Sequence, residues 1–142
     1  MSLKPNDELL LGGSWGTIGY KGEGVFIAGG AGVTPFISIF RHLHSKGKIG
    51  NNKLIFANKA KSDIINEDEF KRILGKNFIN ILSGEKIEEY AYGFITEEFL
   101  KQCSIDLKKY VYVCGPPPMM NAIEEQLLNL KIDKQLIIKE EF

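Results

Sequence analysis

Short runs of Val, Ile, Phe and Leu alternate with longer amphipathic stretches about five times after residue 20. Apolar runs too short for helices, separated by stretches with helical spacing, are the cadence of a parallel α/β sheet. Gly24-Val-Phe-Ile-Ala28 is apolar at successive positions, as expected of a central strand covered on both faces, and it stops at Gly29-Gly30. Thr34 then reads as an N-cap hydroxyl and Pro35 as a first helical residue, where a missing N–H is tolerated. A helix is expected from there to about Lys46, with Phe36, Ile37, Phe40 and Leu43 on its apolar face.

Lys53-Leu-Ile-Phe-Ala57 predicts a second strand, and Asn66 with Glu69 has the form of a capping box before a short helix from Glu67 to Leu74. Phe78-Ile-Asn-Ile-Leu82 predicts a third strand. Thr96 with Phe99 and Leu100 marks another short helix, and Tyr110-Val-Tyr-Val-Cys114 predicts a fourth strand that ends at Gly115-Pro-Pro-Pro118. Met120, Ile123, Leu127 and Leu130 give helical spacing between Met119 and Leu130, and Gln135 to Lys139 predicts a fifth strand. Residues 1–20 depart from this cadence, with a strand-like Glu8-Leu-Leu-Leu11 followed by crowded glycines.

Length and charge narrow the function classes. The 142 residues fit one domain, and 44% hydrophobic with 25% charged residues describes an ordinary globular chain. Lys plus Arg and Asp plus Glu number 18 each, and the only arginines are Arg41 and Arg72, so no basic nucleic-acid surface is expected. Cys103 and Cys114 lack the neighbours of a zinc or iron–sulfur site, and His42 and His44, two apart on a helix, cannot share a face, so no metal is expected. Ser38, Ser45 and Ser104 have no nearby base that would make them nucleophiles. No run approaches the roughly 18 apolar residues of a membrane span, and the polar start has no signal-peptide core, so the expected compartment is the cytoplasm.

Ligands of open parallel sheets bind beyond the carboxyl ends of the strands, which gives the residues after each strand most weight. Gly29-Gly30-Ala31-Gly32-Val33-Thr34-Pro35 has little side-chain bulk and leads into a helix N-terminus, where backbone N–H groups and the helix dipole favour a pyrophosphate. It is not G-x-G-x-x-G, because Pro35 stands at the final glycine, and a tight turn needing small residues is the competing reading. After the fourth strand, Cys114-Gly115-Pro116-Pro117-Pro118-Met119 combines a thiol at a strand end with a rigid turn.

Together the two motifs resemble the NAD(P)-binding domain of the ferredoxin reductase superfamily, the flavodoxin and ferredoxin reductase-like flavoproteins. Asn58-Lys59, Asp63-Ile-Ile65, Ser83 and Gly93-Phe-Ile-Thr96 extend the resemblance over nearly all of residues 7–142. It implies a doubly wound, five-stranded parallel sheet of order 3-2-1-4-5 with helices on both faces. The implied cofactors are NADH or NADPH, and FAD held mainly by a preceding β-barrel. Hydride would pass from nicotinamide to FAD, and electrons onward to flavodoxin, ferredoxin or another carrier.

By position, the resemblance puts Gly30, Ala31, Gly32 and Thr34, followed by Pro35, around the pyrophosphate and the nicotinamide side. Cys114, Gly115 and Pro116 would line the hydride-transfer pocket, Cys114 acting by contact and not as a nucleophile, and Pro117 and Met119 count among the cofactor-binding positions. Asn58 and Lys59, or Ser83 and Lys86, would serve the adenosine side, and the choice between NADH and NADPH stays open. Glu140 and Phe142 match a family ending in which a glutamate and a final aromatic approach the flavin.

Residues 1–20 then read as a remnant of the last barrel strand and turn, and residues 21–142 as the NAD(P)-binding domain. The barrel's Arg-x-Tyr-Ser type motif is absent, so the chain reads as half of a truncated reductase, inactive alone, with Met1-Ser2-Leu3 as a cloning remnant. Leu9, Leu11, Trp15 and Ile18 would be left exposed. The rival class is a non-catalytic nucleotide-binding or docking module of an electron-transfer complex. Loss of nucleotide binding in Gly32→Trp would separate the two.

Overall fold

The computed structural model describes residues 20–141. The expectations for residues 1–19, including Leu9, Leu11, Trp15 and Ile18, and for Phe142 fall outside the described residues. In chain order the elements are β1 (Gly24–Gly29), α1 (Thr34–Ser45), β2 (Lys53–Asn58), α2 (Glu67–Leu74), β3 (Phe78–Leu82), β4 (Ala91–Tyr92), α3 (Glu97–Gln102), β5 (Tyr110–Gly115), α4 (Pro117–Asn129) and β6 (Ile137–Glu141). Among the described residues they form one sheet of order β4-β3-β2-β1-β5-β6, with every neighbouring pair parallel.

The expected α/β class with helices on both faces is what forms, but the expected five-stranded sheet of order 3-2-1-4-5 is corrected to six strands. The added strand is β4, which pairs Ala91 with Ile81 and Tyr92 with Leu82 at the β3 edge. Two residues carry no periodicity, so no pattern in the sequence could reveal it.

Successive residues of a strand point to opposite faces, and the sequence sorts them by size. Along β1, Phe26 and Ala28 join one core with Leu54, Phe56, Tyr112 and Cys114 of the neighbouring strands, covered by Phe36 and Phe40 of α1 and Phe70 and Leu74 of α2. Val25 and Ile27 face the other way, into a core of Ile55, Ile81, Val111 and Val113 covered by Leu100 of α3 and by Met120, Ile123 and Leu127 of α4. The first core is aromatic. Phe26 stacks on Tyr112 across the β1–β5 ladder at 4.2 Å between centroids and receives the edges of Phe36 and Phe40 at 5.0 and 4.7 Å.

Tyr112 also carries a polar role. Its hydroxyl accepts from the N–H groups of Lys21 and Gly22, each at 2.9 Å, and donates to the Gly22 carbonyl at 2.7 Å. A buried phenol needs such partners. They bind the segment before β1 to the middle of the sheet, where Tyr20 stacks on Phe26 and Tyr112.

Several local expectations shift by a residue or two for identifiable reasons. A 3₁₀ turn at Gly30–Val33 precedes α1, so Thr34 is the first helical residue and not its cap, and its hydroxyl donates to the Ala31 carbonyl at 2.9 Å. Asn66 adopts a left-handed conformation, φ 57°, and its side chain binds Glu69 instead of capping α2, so no capping box forms there. Thr96 does cap α3, accepting from the Phe99 N–H at 3.1 Å. The prolines after β5 open α4, since a first-turn proline lacks only an N–H that has no helical partner. At the end, Asp133 accepts from the Gln135 N–H and holds residues 134–136 in a 3₁₀ turn, which delays β6 to Ile137.

Candidate functional site

A cleft of about 950 Å³ opens beyond the carboxyl ends of the strands, on the aliphatic side of the sheet. Its floor is the turn Gly29–Gly32. One wall is α4 and the residue before it, with Pro116, Pro118, Met119 and Gln126, and the rest of the lining comes from Asn58, Lys59, Ser83 and the segment Gly93–Thr96. It lies where open α/β sheets take their ligands.

Backbone proximity explains the glycine at position 32. A Cβ there would come within 2.4 Å of the Cys114 carbonyl oxygen and 2.8 Å of the Gly115 Cα, so only a bare backbone lets the turn pass so close to the end of β5. Gly93 serves a different need, since its φ of 119° is strained for any residue with a side chain, and it swings the chain from β4 into the cleft wall.

Of the residues singled out from the sequence, Gly30, Ala31, Gly32, Asn58, Lys59, Ser83, Pro116 and Met119 come together around this cleft. The others stand elsewhere. Thr34 is turned into its own helix start, Pro35 is buried in the core, Gly115 is the buried last residue of β5, and Pro117 is exposed at the first turn of α4. Cys114 is wholly buried, and its side chain belongs to the aromatic core on the far face of the sheet from the cleft. Glu140 lies on β6 paired with Cys114, which brings its backbone beside the end of β5.

The structure adds residues beyond the expected site set. Phe94 is 78% exposed at the cleft mouth, where Ile65 also lies, while Ile95, Ala122 and Ile123 make the inner wall apolar. In the sequence Phe94 is visible only as part of the Gly93-Phe-Ile-Thr96 match, because a single exposed aromatic leaves no periodic signature. Two wall residues hold buried polar atoms with no partner in the protein, the Asn58 amide nitrogen and the Gln126 amide oxygen. The Gln126 nitrogen is already committed to the Ile95 carbonyl at 2.9 Å. A buried donor and acceptor left in this way are costly unless a ligand or ordered water completes them.

The electrostatics at the rim come from loop residues. Lys59 and Asp63 line the cleft and both are exposed. Outside the cleft lining, the Tyr90 hydroxyl donates to the Glu67 carboxylate, and this bond, reinforced by burial, pushes the phenol up to about 12. Tyr90 therefore stays a neutral donor through the physiological range. Among the described residues no cluster of three His, Cys, Asp or Glu could hold a metal, and no helix is long and apolar enough to cross a membrane.

An open parallel sheet whose first strand ends in a glycine turn beneath a cleft is the arrangement of a nucleotide-binding α/β domain. The chain belongs to the oxidoreductase NAD-binding domain family, which residues 26–125 match. It is 32% identical to NADH-cytochrome b5 reductase 2 of Mycosarcoma maydis over 139 residues, covering 86% of this chain and 39% of that protein. It is 29% identical to one component of the Na(+)-translocating NADH-quinone reductase of Yersinia pestis, covering 99% of this chain and 38% of the relative. The chain thus spans about two fifths of the length of these relatives. Among solved structures, the flavohem-like FAD/NAD binding domain of the Vibrio cholerae nitric oxide dioxygenase superposes with a TM-score of 0.80 at 21% identity, over 92% of this chain and 55% of that one. These likenesses bear out the resemblance to the NAD(P)-binding domain of the ferredoxin reductase superfamily.

Proposed function

We propose that this chain is the NAD(P)H-binding half of a flavin-dependent oxidoreductase, orienting reduced nicotinamide so that hydride passes to FAD held by a separate domain, with onward transfer to a carrier such as flavodoxin or ferredoxin. The observation that carries the reading is the cleft itself, floored by the Gly29–Gly32 turn and bearing an unpartnered buried donor and acceptor in its walls, within a chain of the NAD-binding family. The residues fit a dinucleotide. Gly30, Ala31 and Gly32 present backbone without bulk at the start of α1 and would cradle the pyrophosphate. From β1 the strand order runs to β5 on one side and to β2 and β3 on the other, so the two halves of the ligand would diverge along the sheet edge.

The nicotinamide half would lie toward Pro116 at the end of β5, with Gly115 and Cys114 beneath it. Cys114 would then bear on the ring only through the backbone at the end of β5, since its side chain lies in the core on the opposite face. The adenosine half would lie over Asn58, Lys59 and Ser83, with Phe94 offering apolar surface to the base, while Met119 stands beside Pro116 on the nicotinamide side. Glu140 and Phe142 are assigned the flavin-facing end of the domain. The reduced nicotinamide supplies the hydride, and what this chain supplies is its placement and the exclusion of water from its apolar wall.

The test is nucleotide binding by the full chain. Gly32→Trp is a poor probe, because the side chain would strike the backbone of β5 and disturb the fold. Ala31→Glu is better, since residue 31 is exposed in the cleft and the change sets a carboxylate where the pyrophosphate would lie. Calorimetric titration with NADH and NADPH should show binding by the natural sequence and a loss of about tenfold or more in Ala31→Glu with the unfolding midpoint unchanged. Unaltered affinity in that variant would refute the reading.

A further inference from the structure

The connection between β3 and β4 is short for its topology. Parallel neighbours ordinarily need a crossover of about a dozen or more residues, yet the eight residues 83–90 carry the chain out of β3 and back alongside it. A loop of this length has no helix with which to bury itself, and it is fastened by hydrogen bonds instead. The Ser83 and Gly84 N–H groups donate to the Asn58 and Lys59 carbonyls at 3.0 and 2.8 Å, and the Gly93 N–H donates to the Leu82 carbonyl at 2.8 Å. Between these ends, the Glu85 carboxylate accepts from the Lys61 N–H at 2.8 Å, and the Tyr90 hydroxyl reaches across to Glu67 at the start of α2. The Lys61 ammonium lies 5.9 Å from the centre of the Tyr90 ring. Glu67 is itself held by Lys71, at 3.5 Å, and is only 17% exposed.

Ser83 at the start of this loop and Gly93 with Phe94 just beyond β4 are cleft wall, whereas Tyr90 and Glu67 are not among the residues that line the cleft. We propose that the Tyr90–Glu67 bond is a clasp that fixes the adenosine half of the cleft, which makes Tyr90 a positioning residue for the dinucleotide. The inference rests on the NAD(P)H reading above. Its physical basis is preorganisation: a loop ordered during folding does not have to be ordered again by the ligand, so affinity is gained without a contact.

The experiment compares Tyr90→Phe, Glu67→Ala and Glu67→Gln in the full chain, with NADH, ADP-ribose and reduced nicotinamide mononucleotide as ligands, the last followed by NMR shifts at millimolar concentration. Tyr90→Phe and Glu67→Ala should weaken NADH and ADP-ribose about tenfold and leave the mononucleotide unchanged, while Glu67→Gln, which keeps an acceptor, stays within about threefold of the natural protein. Amide exchange in residues 84–94 should rise in the first two variants and not in the third. Unchanged ADP-ribose affinity in Tyr90→Phe overturns the clasp, as does equal weakening of all three ligands. If the natural protein binds none of the three, the nucleotide reading falls and the clasp with it. Binding that is intact in every variant removes the clasp alone.

Discussion

The two faces of the sheet are built from the same strands and serve different ends. One face collects Phe26, Phe36, Phe40, Phe56, Phe70 and Tyr112 into a closed aromatic core, all of them fully buried. The other is aliphatic, with Val25, Ile27, Ile55, Val111 and Val113, and its helix α4 gives Met119, Ile123 and Gln126 to the cleft. Large flat rings packed edge to face leave little freedom for a neighbour to move. On the opposite side the cleft opens over the Gly29–Gly32 turn. A period of two along each strand therefore divides one sequence into a face that holds the domain together and a face that can receive a ligand.

The largest break in this contrast should come from Phe26→Ala. It removes the ring on which Tyr20, Phe36, Phe40 and Tyr112 converge and should cost about 3–5 kcal/mol in urea unfolding. A smaller effect lies on the surface of the aromatic side, where Arg41 of α1 makes a two-pronged pair with Glu69 of α2 at 2.7 and 2.9 Å. The guanidinium holds the Glu69 carboxyl below its ordinary value of 4.5, so this contribution is present above that pH and disappears as the solution is acidified through the lowered value. Arg41→Met should cost less than about 1 kcal/mol near neutral pH, because the arginine is mostly solvated, and should flatten the acid limb of a stability–pH curve. Smallest for stability is Phe94→Ser at the cleft mouth, expected within about 0.5 kcal/mol of the natural protein, while NADH affinity falls. A Phe94→Ser variant that unfolded more easily but bound equally well would erase the division between the faces.

How far the sequence foretells this molecule depends on the length scale of each signal. The four long apolar runs and the helix from Glu67 to Leu74 are legible, because burial on both faces or along a helical stripe writes itself over several residues. Strand β4 is not, being two residues held by pairing with Ile81 and Leu82. Pro117 reads as turn although it begins a helix, since proline marks both and only the following helical spacing decides. In the candidate site, the glycine turn and the Pro116–Met119 corner are legible as composition. The facing of Cys114 is not, because strand position tells which residues share a face but not which face the cleft will occupy. Gln126 escapes for a related reason and Phe94 is legible only inside the Gly93-Phe-Ile-Thr96 match, as their place in the wall is set by how the elements pack and not by their neighbours in sequence.

Because the Tyr112 hydroxyl receives the Lys21 and Gly22 N–H groups, the segment that enters the sheet is tethered to a phenol whose ring belongs to the aromatic core. Amides at such a position ordinarily exchange fast with deuterium, and here each must first break a bond to a fixed acceptor. Removing that acceptor, as in Tyr112→Phe, turns those two protons into reporters of how firmly the interior holds the chain's approach to β1.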